Sequence, residues 1–233
     1  MAPAKRPVPV TQPDHRASRT VRRIAFVALA AIGLGFWMQG MIVAARVLAG
    51  SPVPAAGFVA ELAGMISWSV LVCTGIALGT SLGKARAVLA GLVGLVFAPL
   101  GLAAAKGAQK FVGALVEAST APSILSLEVI GIVRALEYGV LAFVLVLLAE
   151  RRIARLTPYL VAGLAVGGVF GGFLSGLTIL IESLNGTGRS LPIIATSLVT
   201  EIGFPIGCAL LIYLGQLITQ TFGQIEGSRP SAA

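Results

Sequence analysis

Charged side chains inside apolar stretches are the residues of this chain best suited to chemistry. Glu128, Arg134 and Glu137 lie in one apolar run, 124–150, that is long enough to cross a bilayer. An ionised side chain at the centre of a membrane helix costs about 2.5–3.5 kcal/mol on insertion scales, so such residues are expected to face protein or water and to have partners. They indicate the binding of a small charged solute, or of protons, along a path through the membrane.

Three more charged residues join this candidate substrate path, because they fall in the same half of their own apolar runs: Arg46, Glu61 and Glu201. Gln39 and Trp37 are candidates for the wall of the same cavity, although interior packing is the alternative for Trp37. Capping is a second interpretation of Glu61 and Glu128. Both fall in the first turns of their predicted helices, where an acid interacts favourably with the helix dipole and with free amides.

The spacing of the acids and bases predicts specific pairs. Arg134 and Glu137 are three residues apart, so their side chains meet on a helix surface and we expect an ion pair. Glu128 lies nine residues before Glu137, half a turn out of phase, and needs a different partner. The cations available to it are Lys106, Lys110 and Arg46.

Several kinds of chemistry lack the residues they need. His15 is the only histidine and lies outside the apolar runs, so no imidazole is there to activate a serine or to hold haem or a metal ion. We find no HExxH sequence, Walker sequence or dinucleotide-binding loop. Cys73 and Cys208 both lie inside apolar runs and are interpreted as small buried residues. We therefore expect no enzyme, cofactor or metal site.

The elements that must position the charged residues are membrane helices. Hydrophobic residues make up 57% of the 233 residues and charged ones 11%, against about 25% charged in soluble proteins. Six apolar runs each approach the ~20 residues that span a bilayer. They are residues 24–46, 58–82, 87–109, 124–149, 158–182 and 194–220. We predict an all-α polytopic membrane protein whose six-helix domain covers 24–222.

Basic residues predict the orientation. With six spans, twelve of the 17 Lys and Arg residues fall on the side of the two termini. These twelve are Lys5, Arg6, Arg16, Arg19, Arg22, Arg23, Lys84, Arg86, Arg151, Arg152, Arg155 and Arg229. We expect a multi-pass protein of a bacterial-type inner membrane with both termini cytoplasmic. Residues 1–23 are predicted to be a disordered basic tail, and 223–233 a short one. No basic helix is interleaved with aromatic residues, so nucleic acid is not an expected partner.

A short repeat suggests that the six helices form three hairpins. The even-numbered runs begin with similar sequences around Glu61, Glu128 and Glu201, each preceded by a run rich in small residues. Parallel repeats related by an axis normal to the membrane occur in transporters. Because Gly and Ala are abundant in this chain, a chance similarity is the alternative.

Packing signals concentrate in the fifth run. Its glycines form two ridges at a spacing of four, which places each ridge on one helix face. The ridges are Gly163, Gly167 and Gly171, and Gly168, Gly172 and Gly176. Such faces allow close helix approach, so we predict that this helix is the central packing element. Pro99 and Pro205 are predicted to kink or interrupt the third and sixth helices.

Two functions fit these patterns. The first is a transporter or channel-like carrier for a small charged or zwitterionic solute or for protons, with Glu128, Arg134, Glu137 and Glu201 lining the path. The second is a non-catalytic subunit that uses the glycine ridges to scaffold or regulate a larger membrane complex, or to form a homo-oligomer. A polar cavity that reaches the charged residues would favour the carrier. Charges sealed into pairs and an open small-residue face would favour the subunit.

Overall fold

The described part of the chain consists of six α-helices. The structure, a computed structural model, describes residues 15–51, 55–81, 86–118, 125–151, 153–186 and 190–227. The helices are α1 (His15–Leu48), α2 (Ala55–Gly79), α3 (Arg86–Leu115), α4 (Leu127–Glu150), α5 (Thr157–Leu184) and α6 (Leu191–Gly227). No strand occurs in these ranges.

Each helix contains a segment long and apolar enough to cross a membrane, from 23 residues in α2 to 29 in α1 and α3. Large apolar side chains on the outside of the bundle, such as Leu29, Val88 and Val169, are more than half exposed, as expected of surfaces that contact lipid. A backbone in hydrocarbon must satisfy its own polar groups, which a helix does within one segment. The predicted all-α protein with six transmembrane helices is confirmed.

The first and last helices extend beyond their predicted ends. The structure places His15–Arg23 in α1, where a disordered tail was predicted, and continues α6 to Gly227. Once a helix is nucleated by its apolar span, each added residue gains a backbone hydrogen bond, and Ala and Arg are good helix formers. The remaining parts of the predicted tails, 1–14 and 228–233, lie outside the described residues.

The helices form an inner and an outer set. The even-numbered helices α2, α4 and α6 contact one another, whereas each odd-numbered helix contacts two even ones. Thus α1 lies against α2 and α6, α3 against α2 and α4, and α5 against α4 and α6. This arrangement has the pseudo-threefold connectivity expected of three helical hairpins. It brings the inward faces of α2, α4 and α6 together on the axis.

The register of the three hairpins differs from the one predicted by aligning Glu61, Glu128 and Glu201. One aromatic residue from each inner helix meets on the axis: Trp68, Tyr138 and Phe204, with ring centroids 5.3–6.1 Å apart. These residues follow the three glutamates by different numbers of positions. The sequence similarity of the helix starts therefore does not mark structurally equivalent residues.

Helix α5 lies at the edge of the bundle, so its predicted central position is wrong. Among the described helices it contacts α4 and α6 alone. Its first glycine ridge packs on α6, while a side chain added at Gly168, Gly172 or Gly176 would meet nothing within 4 Å. The spacing of the glycines correctly indicated a close helix contact. It could not indicate that one face would be left open.

Two prolines and two cysteines lie within helices. Pro99 and Pro205 lie inside α3 and α6, so neither residue interrupts its helix. Cys73 and Cys208 are free and fully buried, which confirms their interpretation as small interior residues, and their Sγ atoms are 3.0 Å apart between α2 and α6. The inner helices α2 and α6 therefore approach closely at this level.

Candidate functional site

The centre of the site is an ion pair within α4. Ser126 caps the start of this helix by accepting a hydrogen bond from the Val129 amide. From there the helix carries Arg134 and Glu137 to the inner face one turn apart. Arg134 Nη1 donates to Glu137 Oε2 at 2.7 Å, which confirms the predicted pair. Glu137 lies ten residues after the start of α4, which is about 15 Å along the helix and about half the thickness of a bilayer core.

A second carboxylate reaches the same guanidinium from α6. Arg134 Nη2 donates to Glu201 Oε1 at 2.6 Å, and the Arg134 Cζ atom lies 5.8 Å from the centre of the Trp68 ring on α2. One arginine thus connects all three inner helices. We call Arg134, Glu137 and Glu201 the central ion triad.

The central ion triad has more acid than base. Two carboxylates share one guanidinium, so the triad carries one excess negative charge when all three groups are ionised. Glu137 is fully buried, and the triad sits where water is scarce. Glu137 Oε1 and the Tyr138 hydroxyl have no hydrogen-bond partner among the described residues. A buried charge without full compensation is costly, so this arrangement favours a site that accepts a proton or a cation.

The three axial aromatic residues follow the central ion triad along the inner helices. Tyr138 is adjacent to Glu137, and Phe204 lies three residues after Glu201. All three rings are buried and pack mostly edge to face. In this structure they fill the axis on the side of the triad away from the starts of α2, α4 and α6.

A second ion pair lies between α1 and α2. Arg46 donates to both carboxylate oxygens of Glu61, at 2.9 and 2.8 Å, and Gln39 Nε2 donates to Glu61 Oε2 at 3.0 Å. A two-point contact between guanidinium and carboxylate fixes orientation as well as position. Glu61 is therefore an ion-pair residue in the second turn of α2, and the capping interpretation is wrong for it.

A partly open cavity with a mixed polar and apolar lining connects these two charged groups. It has a volume of about 300 Å³ and lies at the end of the bundle where α1 finishes and α2 and α6 begin. Its polar lining comes from four helices: Gln39, Arg46, Glu61, Gln109, Thr196, Ser197, Thr200 and Glu201. Glu201 belongs both to this wall and to the central ion triad. A solute in the cavity would therefore have contact with the buried charges through one carboxylate.

The first glycine ridge of α5 positions Glu201. A Cβ atom added at Gly167 would approach the Glu201 carbonyl oxygen to 2.8 Å, and one added at Gly171 would approach the Glu201 Cβ to 2.5 Å. The backbone of α6 can lie this close only because both positions lack side chains. The predicted ridge of Gly163, Gly167 and Gly171 is thus a structural support for the site.

Two predicted members of the site are not part of it. Glu128 is exposed in the first turn of α4 and forms no ion pair with the described residues. Its position is that of an acidic residue that interacts favourably with the positive end of the helix dipole. Trp37 is 68% exposed and faces outward from α1, whereas Gln39, two residues later, faces the cavity.

Sequence reasoning missed the hydroxyl-bearing wall of the cavity. Thr196, Ser197, Thr200 and Glu201 occupy one face of α6, at the spacing that places residues together on a helix. This stripe of polar residues within an apolar run was the sequence pattern that could have predicted the wall. No such pattern surrounds Gln109, because its neighbours in the sequence do not distinguish an amide that lines a cavity from one near the membrane surface.

No protein-family model, curated protein or solved structure matches the chain.

Proposed function

We propose that this protein is a membrane carrier for a small charged or zwitterionic solute, or for protons. One observation carries the proposal: a cavity of about 300 Å³ extends from one end of the bundle to Glu201, a member of the buried triad. Arg46 and Glu61 also line this cavity, and Arg134 links Glu201 to the buried Glu137. Buried ionisable residues beside a polar cavity are typical of ion and substrate pathways in membranes.

The shared carboxylate suggests how binding couples to movement. A cationic group in the cavity competes with Arg134 for Glu201 and so weakens the link between α4 and α6. Since a ligand shifts a conformational equilibrium only by its differential affinity, this competition supplies the difference between a cavity-open and a cavity-closed state. The close glycine contact between α5 and α6 lets these helices move as one hairpin, as repeats do in alternating access.

We further propose a bacterial-type inner membrane location with both termini in the cytoplasm. The asymmetry of the basic residues supports this orientation. The cavity then opens to the non-cytoplasmic side. The carrier proposal also implies no catalytic activity, and the sequence supports it by having no histidine within the apolar runs.

Replacing Glu137 by Gln tests the carrier proposal. The purified protein is reconstituted in proteoliposomes on a solid support, and charge movement is recorded for a panel of small cations, anions and zwitterions and for a pH jump. We expect the wild-type protein to move charge with at least one of them and Glu137→Gln to abolish it. Glu128→Gln is the matched control, because this exposed carboxylate lies outside the site. Equal currents from wild type and Glu137→Gln would contradict the proposal.

A non-catalytic membrane subunit is the second candidate. The open ridge of Gly168, Gly172 and Gly176 favours it, because a neighbouring helix could approach this face closely. In that case Gly172→Leu would reduce the size of the complex extracted from native membranes, and no solute would produce a current. An unchanged complex size would count against this candidate.

A further inference from the structure

Gln39, which lines the cavity, carries a buried acceptor that has no hydrogen-bond partner in the described part of the chain. Gln39 is 1% exposed and lines the cavity. Its Nε2 donates to Glu61, but its Oε1 has no hydrogen-bond partner among the described residues. Leaving a buried polar atom unpaired is costly. The hydrogen bond to Glu61 fixes the orientation of the amide and leaves the carbonyl oxygen as an unused acceptor beneath the wall of the cavity.

The α6 wall offers acceptors as well. The hydroxyl of Thr196 donates to the Ile193 carbonyl at 3.1 Å, and that of Thr200 donates to the Thr196 carbonyl at 2.9 Å. A hydroxyl has one hydrogen to donate and two lone pairs, so both oxygens can still accept. Together with the carboxylate of Glu201, these hydroxyls place three side chains with acceptor oxygens on the α6 wall of the cavity.

The charges around the cavity have the same bias. Two guanidinium groups, on Arg46 and Arg134, face three carboxylates, on Glu61, Glu137 and Glu201. Among the described residues, Arg134 is the only basic residue that forms an ion pair with Glu137. When all five groups are ionised they carry one excess negative charge, which attracts a single positive charge.

From these observations we infer that the cavity binds a small monovalent cation bearing a primary ammonium group. An ammonium group has three N–H donors, which matches Gln39 Oε1, Thr200 Oγ1 and the carboxylate of Glu201 in number and kind. Its charge neutralises the excess negative charge. The inference rests on the proposed function in one respect, that the bound cation is also the solute carried.

Methylammonium is the probe for this site, and tetramethylammonium is the control with equal charge and no N–H donor. Each is titrated by isothermal calorimetry into the full-length protein in nanodiscs at constant ionic strength. We expect saturable binding of methylammonium and no binding of tetramethylammonium. Acetate, a small anion titrated in the same way, should not bind either. Thr200→Val keeps the side-chain shape and removes an acceptor, so binding weakens about tenfold or more. Thr178→Val, buried on α5 outside the cavity, leaves binding unchanged.

The outcomes separate this inference from the carrier proposal. If methylammonium does not bind while proteoliposomes carry another charged solute, the ammonium site is refuted and the carrier stands. If methylammonium binds with the expected variant pattern but neither a charged solute nor a pH jump produces a current, the site is supported and transport of a charged solute or of protons is refuted. Equal binding of tetramethylammonium, or an unchanged affinity in Thr200→Val, would also overturn the inference.

Discussion

Arg134 shows how one residue determines the character of the site. It forms ion pairs with Glu137 on its own helix and with Glu201 on α6, and it lies over the ring of Trp68 on α2. The pair within α4 could be predicted, because a spacing of three residues fixes the geometry on any helix. The pair with Glu201 could not, since the two residues are 67 positions apart and meet only when three helices assemble.

The imbalance of charge in the central ion triad predicts unequal effects of its members on stability. Arg134→Met removes the guanidinium that both buried carboxylates bind, so we expect a loss of about 3–5 kcal/mol in the free energy of unfolding. Glu137→Gln keeps an acceptor for Arg134 and removes the excess charge, so we expect a change below about 1 kcal/mol. Denaturant titration in detergent micelles measures both. A loss in Glu137→Gln as large as that in Arg134→Met would show that the triad is not overcharged.

At the scale of elements, the contact between α5 and α6 is what places Glu201. The sequence revealed two glycine ridges on α5, and the structure uses Gly163, Gly167 and Gly171 against α6. Both ridges have the same spacing, so periodicity alone could not choose between them. The choice depends on which face α5 turns to α6, a consequence of helix arrangement that a local pattern does not contain.

Adjacent glycines on the two ridges provide a matched test of this contact. In Gly171→Ala the new methyl group would overlap the Glu201 Cβ, and overpacking of this kind costs about 1–3 kcal/mol. In Gly172→Ala the methyl group meets nothing within 4 Å, and alanine favours a helix more than glycine does. We expect a lower melting temperature in detergent for Gly171→Ala and an equal or higher one for Gly172→Ala. Equal lowering in both would contradict the packing of this ridge on α6.

At the scale of the whole molecule, the bilayer made most of the fold predictable. An apolar run long enough to cross a bilayer must satisfy its own backbone hydrogen bonds, which a single segment does by forming an α-helix. The hydropathy of the chain therefore predicted six helices, and their number is confirmed. The shape of the cavity was not predictable. It depends on the packing of α1, α2, α3 and α6, and on a polar stripe of α6 that lies inside an apolar segment.

The most direct test of the account is whether the cavity is a water-filled part of the solute path. Thr200→Cys is prepared in a background carrying Cys73→Ala and Cys208→Ala, reconstituted, and exposed to a membrane-impermeant cationic thiosulfonate. The reagent is added on the side of the 185–190 connection. Phe173→Cys, at a position 57% exposed on the outer surface of α5, is the lipid-facing control.

We expect Thr200→Cys to react and to lose its charge movement on modification, while Phe173→Cys in the bilayer does not react. An unreactive Thr200→Cys in a protein that still moves solute would contradict the account. So would complete modification of Thr200→Cys that leaves the current unchanged.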